Sequence, residues 1–416
     1  MTRVIHTGDT HIGYQQYHSA ERRQDFLDAF EQVVDDAIEM EVAAVIHAGD
    51  LFHDRRPELP DLLGTLNALR RLAAAEIPFL AVVGNHESTR GGQWLDLFER
   101  LDLATRLGSQ PLMVGSTAVY GLDHVPVSRR DDLDYEFDPP SDEADHRVLV
   151  SHGLFTPFAH ANWETETVLA EATVDFDAVL LGDNHEAGIE QVDGTWVTYC
   201  GSTERASASE RDGRGYNVVE FGDESGPDGI DIRQRSLETR PFVFDSVDLA
   251  AGEGAERVRE QVSQHDLSDA VVTVEITGAG EPVTPASIEE FAGDRGALVA
   301  RVTDRREIET ETDLSVSFAD PDAAVDERIR EMELSQAALD IDETVRASKV
   351  ADSNVRARVS DIIEERFGDT SDERSGDQHS SDQRSGDESA AVEQSAADEQ
   401  ATDSAADGQL SLEDLG

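Results

Sequence analysis

Five short clusters of residues able to bind metal ions punctuate the first half of the chain. They are Asp9-Thr10-His11, Gly49-Asp50, Gly84-Asn85-His86-Glu87, Ser151-His152-Gly153 and Gly182-Asp183-Asn184-His185. Aspartate, asparagine and histidine together offer hard and borderline donors suited to manganese, iron or zinc, and no thiolate is among them. Two such ions roughly 3.5–4 Å apart clamp a phosphate and make a shared water acidic enough to attack as hydroxide. The set points to metal-assisted hydrolysis of a phosphoester. Asp50 is the natural bridge, because one carboxylate can span two ions and its place between the other clusters suits it to be shared.

The clusters sit where a fold can gather them. Val4-Ile5-His6, Ala43-Ala44-Val45-Ile46, Phe79 to Val83, Val148-Leu149-Val150 and Ala178 to Leu181 are short, β-branched-rich runs that read as buried strands, and each ends in a potential ligand. In open α/β sheets the binding crevice lies beyond the carboxyl ends of the strands, where residues distant in sequence converge. The glycines allow tight turns and close approach of the backbone to a phosphate. Taken singly, Asp9-x-His11 is an ordinary surface turn and His152 an ordinary strand-end histidine. All five clusters in this order make chance a poor explanation.

The ordered pattern resembles the calcineurin-like metallophosphoesterases, which carry Asp-x-His, Gly-Asp, Gly-Asn-His-Asp/Glu, His and Gly-His-x-His. The resemblance implies a four-layered α/β sandwich of two mixed sheets flanked by helices. It makes Asp9, His11, Asp50 and His185 ligands of one metal, and Asp50, Asn85, His152 and Asp183 ligands of the other. His86 becomes the catalytic histidine, stabilising the transition state and protonating the leaving oxygen, and His53 a second phosphate-facing histidine. The chain departs from the pattern at Asp183, where the family has histidine. A carboxylate there makes the second site harder, favouring manganese or magnesium over zinc; alternatively Asp183 does not ligate and the second site is weak.

Residues around the clusters narrow the substrate. Asp9 to Tyr14, Gly49 to Pro57 and Tyr199-Cys200-Gly201-Ser202 resemble the nuclease subunit of the DNA double-strand-break repair complex, the "meiotic recombination eleven" family. The resemblance implies exonuclease and endonuclease activity on DNA ends, with two manganese ions per subunit, magnesium or another divalent ion being the alternative. It also implies a homodimer, and a heterotetramer with an SMC-like coiled-coil ABC ATPase. Two other readings stay open: a mainly architectural scaffold that binds DNA ends and regulates the ATPase with weak nuclease activity, and a nucleotide phosphodiesterase.

Four segments are expected: a nuclease domain over 1–240, a small α/β capping domain that steers DNA over 241–320, an ATPase-binding helical segment over 321–367, and an acidic tail over 368–416. The second reads strand, helix, strand, helix, strand from Phe242 to Val302, with a last strand-like piece at Leu314 to Phe318. In the third, Val325, Ile329 and Met332, then Val345, Val355, Val359, Ile362 and Phe367, fall at helical spacing; two such helices are too small for a core of their own and need a partner. The Ser/Asp/Gln/Gly-rich tail cannot offset the entropy of ordering and is expected to be disordered. Its final Gln409 to Leu415, with three leucines, is a candidate docking motif for a sliding-clamp-like partner.

The net charge is −55, from 89 acidic and 34 basic residues. Residues 369–416 hold 14 acidic and 2 basic residues, or −12, so −43 remains on the rest, and Lys349 is the only lysine. Self-repulsion of this size is tolerable where molar salt screens it over about 3 Å. The composition indicates the high-salt cytoplasm of a halophile, an archaeon, with the protein associated with the nucleoid. Counterion release contributes little to DNA binding there, so binding must lean on the metals, the ATPase and local arginines such as Arg55, Arg56, Arg90 and Arg205. For Arg205 the expectation is contact with phosphate or support of the site. No signal segment and no run of 18 apolar residues is present, so no membrane partner is expected. Cys200 is expected to pack near the site.

Overall fold

The computed structural model describes residues 1–306 except 88–91, 141–143, 223, 224 and 227, and the side chain of Asp131 is not described. The chain divides into Met1–Asp369 and Thr370–Gly416, and every described residue belongs to the first. Arg90, Lys349, the run at Leu314 to Phe318, the helical segment and the tail lie outside the described residues.

The first sheet holds β1 (Thr2–Thr7), β2 (Ala44–His47), β3 (Phe79–Ala81), β4 (Thr105–Arg106), β11 (Gly215–Phe221) and β12 (Ile230–Ser236), in the order β12-β11-β1-β2-β3-β4. Strands β1 to β4 are parallel, and β11 joins β1 antiparallel. The second sheet holds β5 (Leu112–Val114), β6 (Thr117–Leu122), β7 (His146–His152), β8 (Ala178–Gly182), β9 (Gly188–Val192) and β10 (Thr195–Tyr199), in the order β5-β6-β7-β8-β10-β9. Strands β6, β7, β8 and β10 are parallel.

Alternation along the strands builds the layers. Val4, Ala44, Ile46 and Leu80 pack with Val119, Val148, Val150 and Leu180 in one core between the sheets. The opposite face of the first sheet, with Ile5, Val45 and Phe79, packs on helices α1 (Ala20–Glu39) and α2 (Leu59–Ala74) and on α3 (Trp94–Arg100). Tyr120, Leu149, Val179, Leu181 and Tyr199 form the outer core of the second sheet with Val168 of α4 (Thr165–Glu171). This is the four-layered sandwich expected from the sequence. Both faces of the central strands are buried, which is why they read as continuous apolar runs. Truncating a fully buried leucine such as Leu180 to alanine costs about 2–5 kcal/mol.

Helix α1 starts where the Ser19 side chain accepts from Arg22 N, and it buries Phe26, Ala29, Phe30, Val33, Val34 and Ala37 at helical spacing. Helix α2 starts at a reciprocal cap between Glu58 and Asp61.

A third, parallel sheet, β13 (Phe242–Leu249), β14 (Val271–Gly278) and β15 (Val299–Asp304), alternates with α5 (Ala255–Val262) and α6 (Pro285–Gly293) around its own core of Val247, Val258, Val274, Ile276 and Ile288. Arginine–aromatic contacts join it to the first part. Arg22 and Arg205 lie over the ring of Phe242 at 5.0 and 5.1 Å, and Arg211 lies over Phe244 at 5.3 Å. Arg240 makes a two-pronged ion pair with Asp25.

Candidate metal centre

The parallel strands of both sheets deliver their final residues to one place. Asp9 and His11 follow β1, Asp50 follows β2, Asn85 and His86 follow β3, His152 ends β7, and Asp183 and His185 follow β8. Asp9, His11, Asp50, His152, Asp183, His185 and His86 are all buried, and Asn85 and His53 are half-buried. Donor atoms of Asp9, His11 and His185 lie within 4.8 Å of one another, as do those of Asp9, Asp50 and His152, and those of His11, His53 and His86.

Backbone hydrogen bonds lock the converging loops. Asp9 N donates to Gly49 O at 3.0 Å and His11 N to Asp50 O at 3.0 Å. The Asp183 backbone N–H donates to both carboxylate oxygens of Asp9, at 3.1 and 2.9 Å, and His86 N donates to Asp50 Oδ1 at 2.9 Å. Four of the expected ligands have left-handed backbone: Asp9 at φ 49°, His11 at 44°, Asp50 at 57° and Asp183 at 91°. Such conformations cost of order 1–3 kcal/mol each for non-glycine residues and persist only where the surroundings over-determine them. Close packing is part of that: a Cβ on Gly84 would stand 2.1 Å from Asp50 Oδ1, and one on Gly49 2.6 Å from His152 Nδ1.

The side chains turn their donors inward. His11 Nε2 and His185 Nε2 face each other at 3.0 Å. His152 Nε2 lies 2.9 Å from Asn85 Oδ1, 3.5 Å from Asp50 Oδ2 and 3.8 Å from Asp183 Oδ1, while its Nδ1 lies 2.8 Å from the Ala48 carbonyl. Burial pushes the Asp9 carboxyl up to about 7. For Asp50 burial acts the same way, but the His152, His86 and His11 imidazoles outweigh it and hold the carboxyl well below its usual range. Burial draws His11 well below the usual imidazole value, and His11 Nδ1 has no hydrogen-bond partner among the described residues. A buried set of carboxylates and imidazoles with lone pairs aimed at one another is incomplete chemistry without cations, and it fits divalent ions of the hard-to-borderline kind.

His86 Nδ1 lies 2.7 Å from the His53 carbonyl, and the two rings are 5.0 Å apart. His53 stacks on Tyr14 at 3.9 Å and borders a cleft of about 250 Å³ that Arg23, Arg56 and Asp61 also line. Arg55 and Arg56 are exposed beside it. Cys200 is buried as expected, next to the Leu181 carbonyl.

Of the two roles expected for Arg205, contact with phosphate or support of the site, its contacts fit the second. Its guanidinium is engaged by the Glu210 and Asp212 carbonyls, the Thr239 hydroxyl and the Phe242 ring. It supports the loop behind His185. Sequence reasoning missed Glu210, which accepts from His185 Nδ1 at 2.8 Å, and passed over Glu87. The buried Glu87 carboxyl, pushed up to about 7 chiefly by burial and then by Asp50, accepts from Phe52 N and Gly84 N and so ties the loops after β2 and β3. Glu87 had a signal, adjacency to Asn85-His86. Glu210, in a stretch rich in serine and arginine, had none.

Two mixed sheets that bring this donor set to their strand ends define a calcineurin-like phosphoesterase, and the model of that family matches residues 2–187. The chain belongs, within it, to the Mre11 family. It is 71% identical over 374 residues to the DNA double-strand break repair protein Mre11 of Haloferax volcanii, covering 89% of this chain and 83% of that one. Identity to the Mre11 of Halobacterium salinarum is 57% over 380 residues, 91% of this chain and 97% of that one. To the Mre11 of Methanosarcina acetivorans it is 44% over 382 residues, 88% of this chain and 60% of that one. The haloarchaeal sources of the first two relatives accord with the acidic, nearly lysine-free composition.

Proposed function

We propose that this chain is a nuclease that hydrolyses phosphodiester bonds at DNA ends in double-strand-break repair, with two divalent ions, manganese foremost, at the centre described above. The observation that carries the reading is the convergence of seven donor side chains from five strand ends on one buried point. Asp9, His11, Asp50 and His185 would hold one ion, and Asp50, Asn85, His152 and Asp183 the other. Such ions, when bound, supply Lewis acidity toward the phosphate and toward an attacking water.

The chain's own groups do the rest. Asp50 sits between the two donor sets with its second oxygen engaged by His86 N, which fixes its plane. The His53 carbonyl holds the proton of His86 on Nδ1 and leaves Nε2 as the atom that would exchange a proton with the reacting oxygens, the imidazolium form giving one to the departing oxygen. His53, stacked on Tyr14, borders the cleft where the sugar–phosphate backbone would lie, and Arg55 and Arg56 at its edge offer the positive charge that an acidic protein otherwise lacks. The carboxylate of Asp183 makes the second site harder than an imidazole would.

Partners follow the same reading. Leu59 and Leu63 on α2, Leu97 on α3 and Leu101 just after it are 41–66% exposed, each pair at one-turn spacing, which supports a self-association face for a homodimer. Residues 241–320 would steer DNA, 321–367 would bind the coiled-coil ABC ATPase, and the acidic 368–416 would end in a docking segment for a clamp-like partner. No helix among the described residues is long and apolar enough to cross a membrane, and work on nucleoid DNA in a high-salt cytoplasm is part of the proposal.

The test is cleavage of end-labelled duplex and hairpin DNA in molar potassium chloride, with manganese, magnesium or no added metal, beside a nucleotide phosphodiester. Manganese-dependent DNA cleavage is the expected result. Turnover of the nucleotide alone would move the assignment to a nucleotide phosphodiesterase, and DNA binding without cleavage would move it to a scaffold.

A further inference from the structure

One carboxylate behind the metal centre is built into it as firmly as the residues in front. Glu210 is about 10% exposed at its side chain, and Oε1 accepts from His185 Nδ1 at 2.8 Å. Its other oxygen accepts from Ala206 N at 3.0 Å and from Arg214 Nη1 at 3.3 Å. Arg214 is itself buried, and the same nitrogen donates to the His185 carbonyl at 2.8 Å and to Ser202 Oγ at 3.1 Å. Arg205 Nε holds the Glu210 carbonyl at 3.0 Å. His185 is therefore gripped at ring and backbone by one ion pair, and that pair is anchored by a second arginine.

The imidazole has two nitrogens and one metal to serve. A proton fixed on Nδ1 by a carboxylate leaves the lone pair on Nε2, the nitrogen that faces His11 Nε2 and the Asp9 carboxylate. A histidine ligand held in this way keeps its tautomer and ring plane and becomes a better donor. We propose that Glu210, braced by Arg214, is a positioning residue that sets the tautomer and orientation of His185 for metal binding. The proposal rests on the two-metal reading above.

The experiment is a titration of metal-free, full-length protein with manganese in molar potassium chloride, reading free Mn2+ by electron paramagnetic resonance, with circular dichroism as the fold control. Wild type should bind two ions. Glu210→Ala should weaken one of them by about 10- to 100-fold and leave the other unchanged. Glu210→Gln, which keeps an acceptor for Nδ1–H without the charge, should fall between. His185→Ala should lose the same ion, and Glu210→Ala added to it should weaken binding no further, since both act at one ligand.

Wild-type affinity at both ions in Glu210→Ala overturns the proposal, as does a further loss in the double variant beyond His185→Ala. Should Glu210→Ala lose its native spectrum, Glu210→Gln decides: loss at a single ion supports the role and two unchanged affinities overturn it. A wild type that binds fewer than two ions refutes the two-metal reading itself, whereas two ions in wild type and an unaffected Glu210→Ala refute only the role of Glu210.

Discussion

His152 Nε2 and Asp183 Oδ1 lie 3.8 Å apart, so a carboxylate stands where the family pattern places an imidazole. If that oxygen ligates, Asp183→His should shift relative affinity at the second site from manganese toward zinc by roughly tenfold, a change of about 1.4 kcal/mol. Competition between the two ions measures it. An unchanged ratio would mean that Asp183 lies beside the site without holding the ion.

His86 belongs to neither expected ligand set: its ring lies edge-on to that of His11 at 4.9 Å, its backbone N–H donates to Asp50, and its Nδ1 lies against the His53 carbonyl. His86→Ala should therefore lower single-turnover DNA cleavage by roughly 10²–10⁴-fold while manganese and DNA binding stay near wild type. Loss of metal binding in step with cleavage would show that the ring supports the site and does not act in proton transfer.

Arg22 has no exposed side-chain surface and pairs with Glu204 at 3.2 Å and Asp25 at 2.6 Å. Breaking a buried pair strands its partner, and Arg22→Met should cost about 3–5 kcal/mol of stability. Adding Glu204→Leu should recover part of that, because the stranded carboxylate is removed. Urea melts in molar potassium chloride would read both, and a double variant as unstable as the sum of the singles would contradict the pairing.

His6 lies on the inter-sheet face of β1, and burial lowers its imidazole to about 3. With the folded value below the unfolded 6.5, the unfolded chain takes up the proton first. The contribution of the neutral ring is complete above about pH 6.5 and is lost as pH falls toward 3, at roughly 1 kcal/mol per pH unit. His6→Phe should flatten the fall in stability between pH 6.5 and 5, measured on metal-free protein. An identical slope in the variant would mean that other groups govern acid unfolding.

The donor side chains were legible because each follows a strand whose apolar run announces it: Asp9 after Val4-Ile5, Asp50 after Val45-Ile46, Asp183 after Leu180-Leu181. The layered sandwich was legible for the same reason, since runs buried on both faces leave little choice of architecture. Residues that hold the donors from behind were not. Arg22 meets Glu204 across 182 positions, and Glu210 meets His185 across 25, distances at which neither periodicity nor spacing carries information. For Arg205 the sequence left phosphate contact and support of the site both open, because an arginine near a phosphate site looks alike whether it faces solvent or packs against Phe242.

Phe242 is the first residue of the third sheet, yet its ring covers two guanidinium groups of the preceding part. One of them, Arg205, holds the loop that carries Glu210. A chain shortened to end before Phe242 would uncover Arg22 and Arg205, wetting ion pairs that are dry in the full protein and loosening the support of His185. The third sheet is in this sense half of a joint and not a detachable accessory. A truncated fragment that cuts DNA poorly would report the loss of that joint, and the intrinsic rate of the centre is best measured on the longer chain.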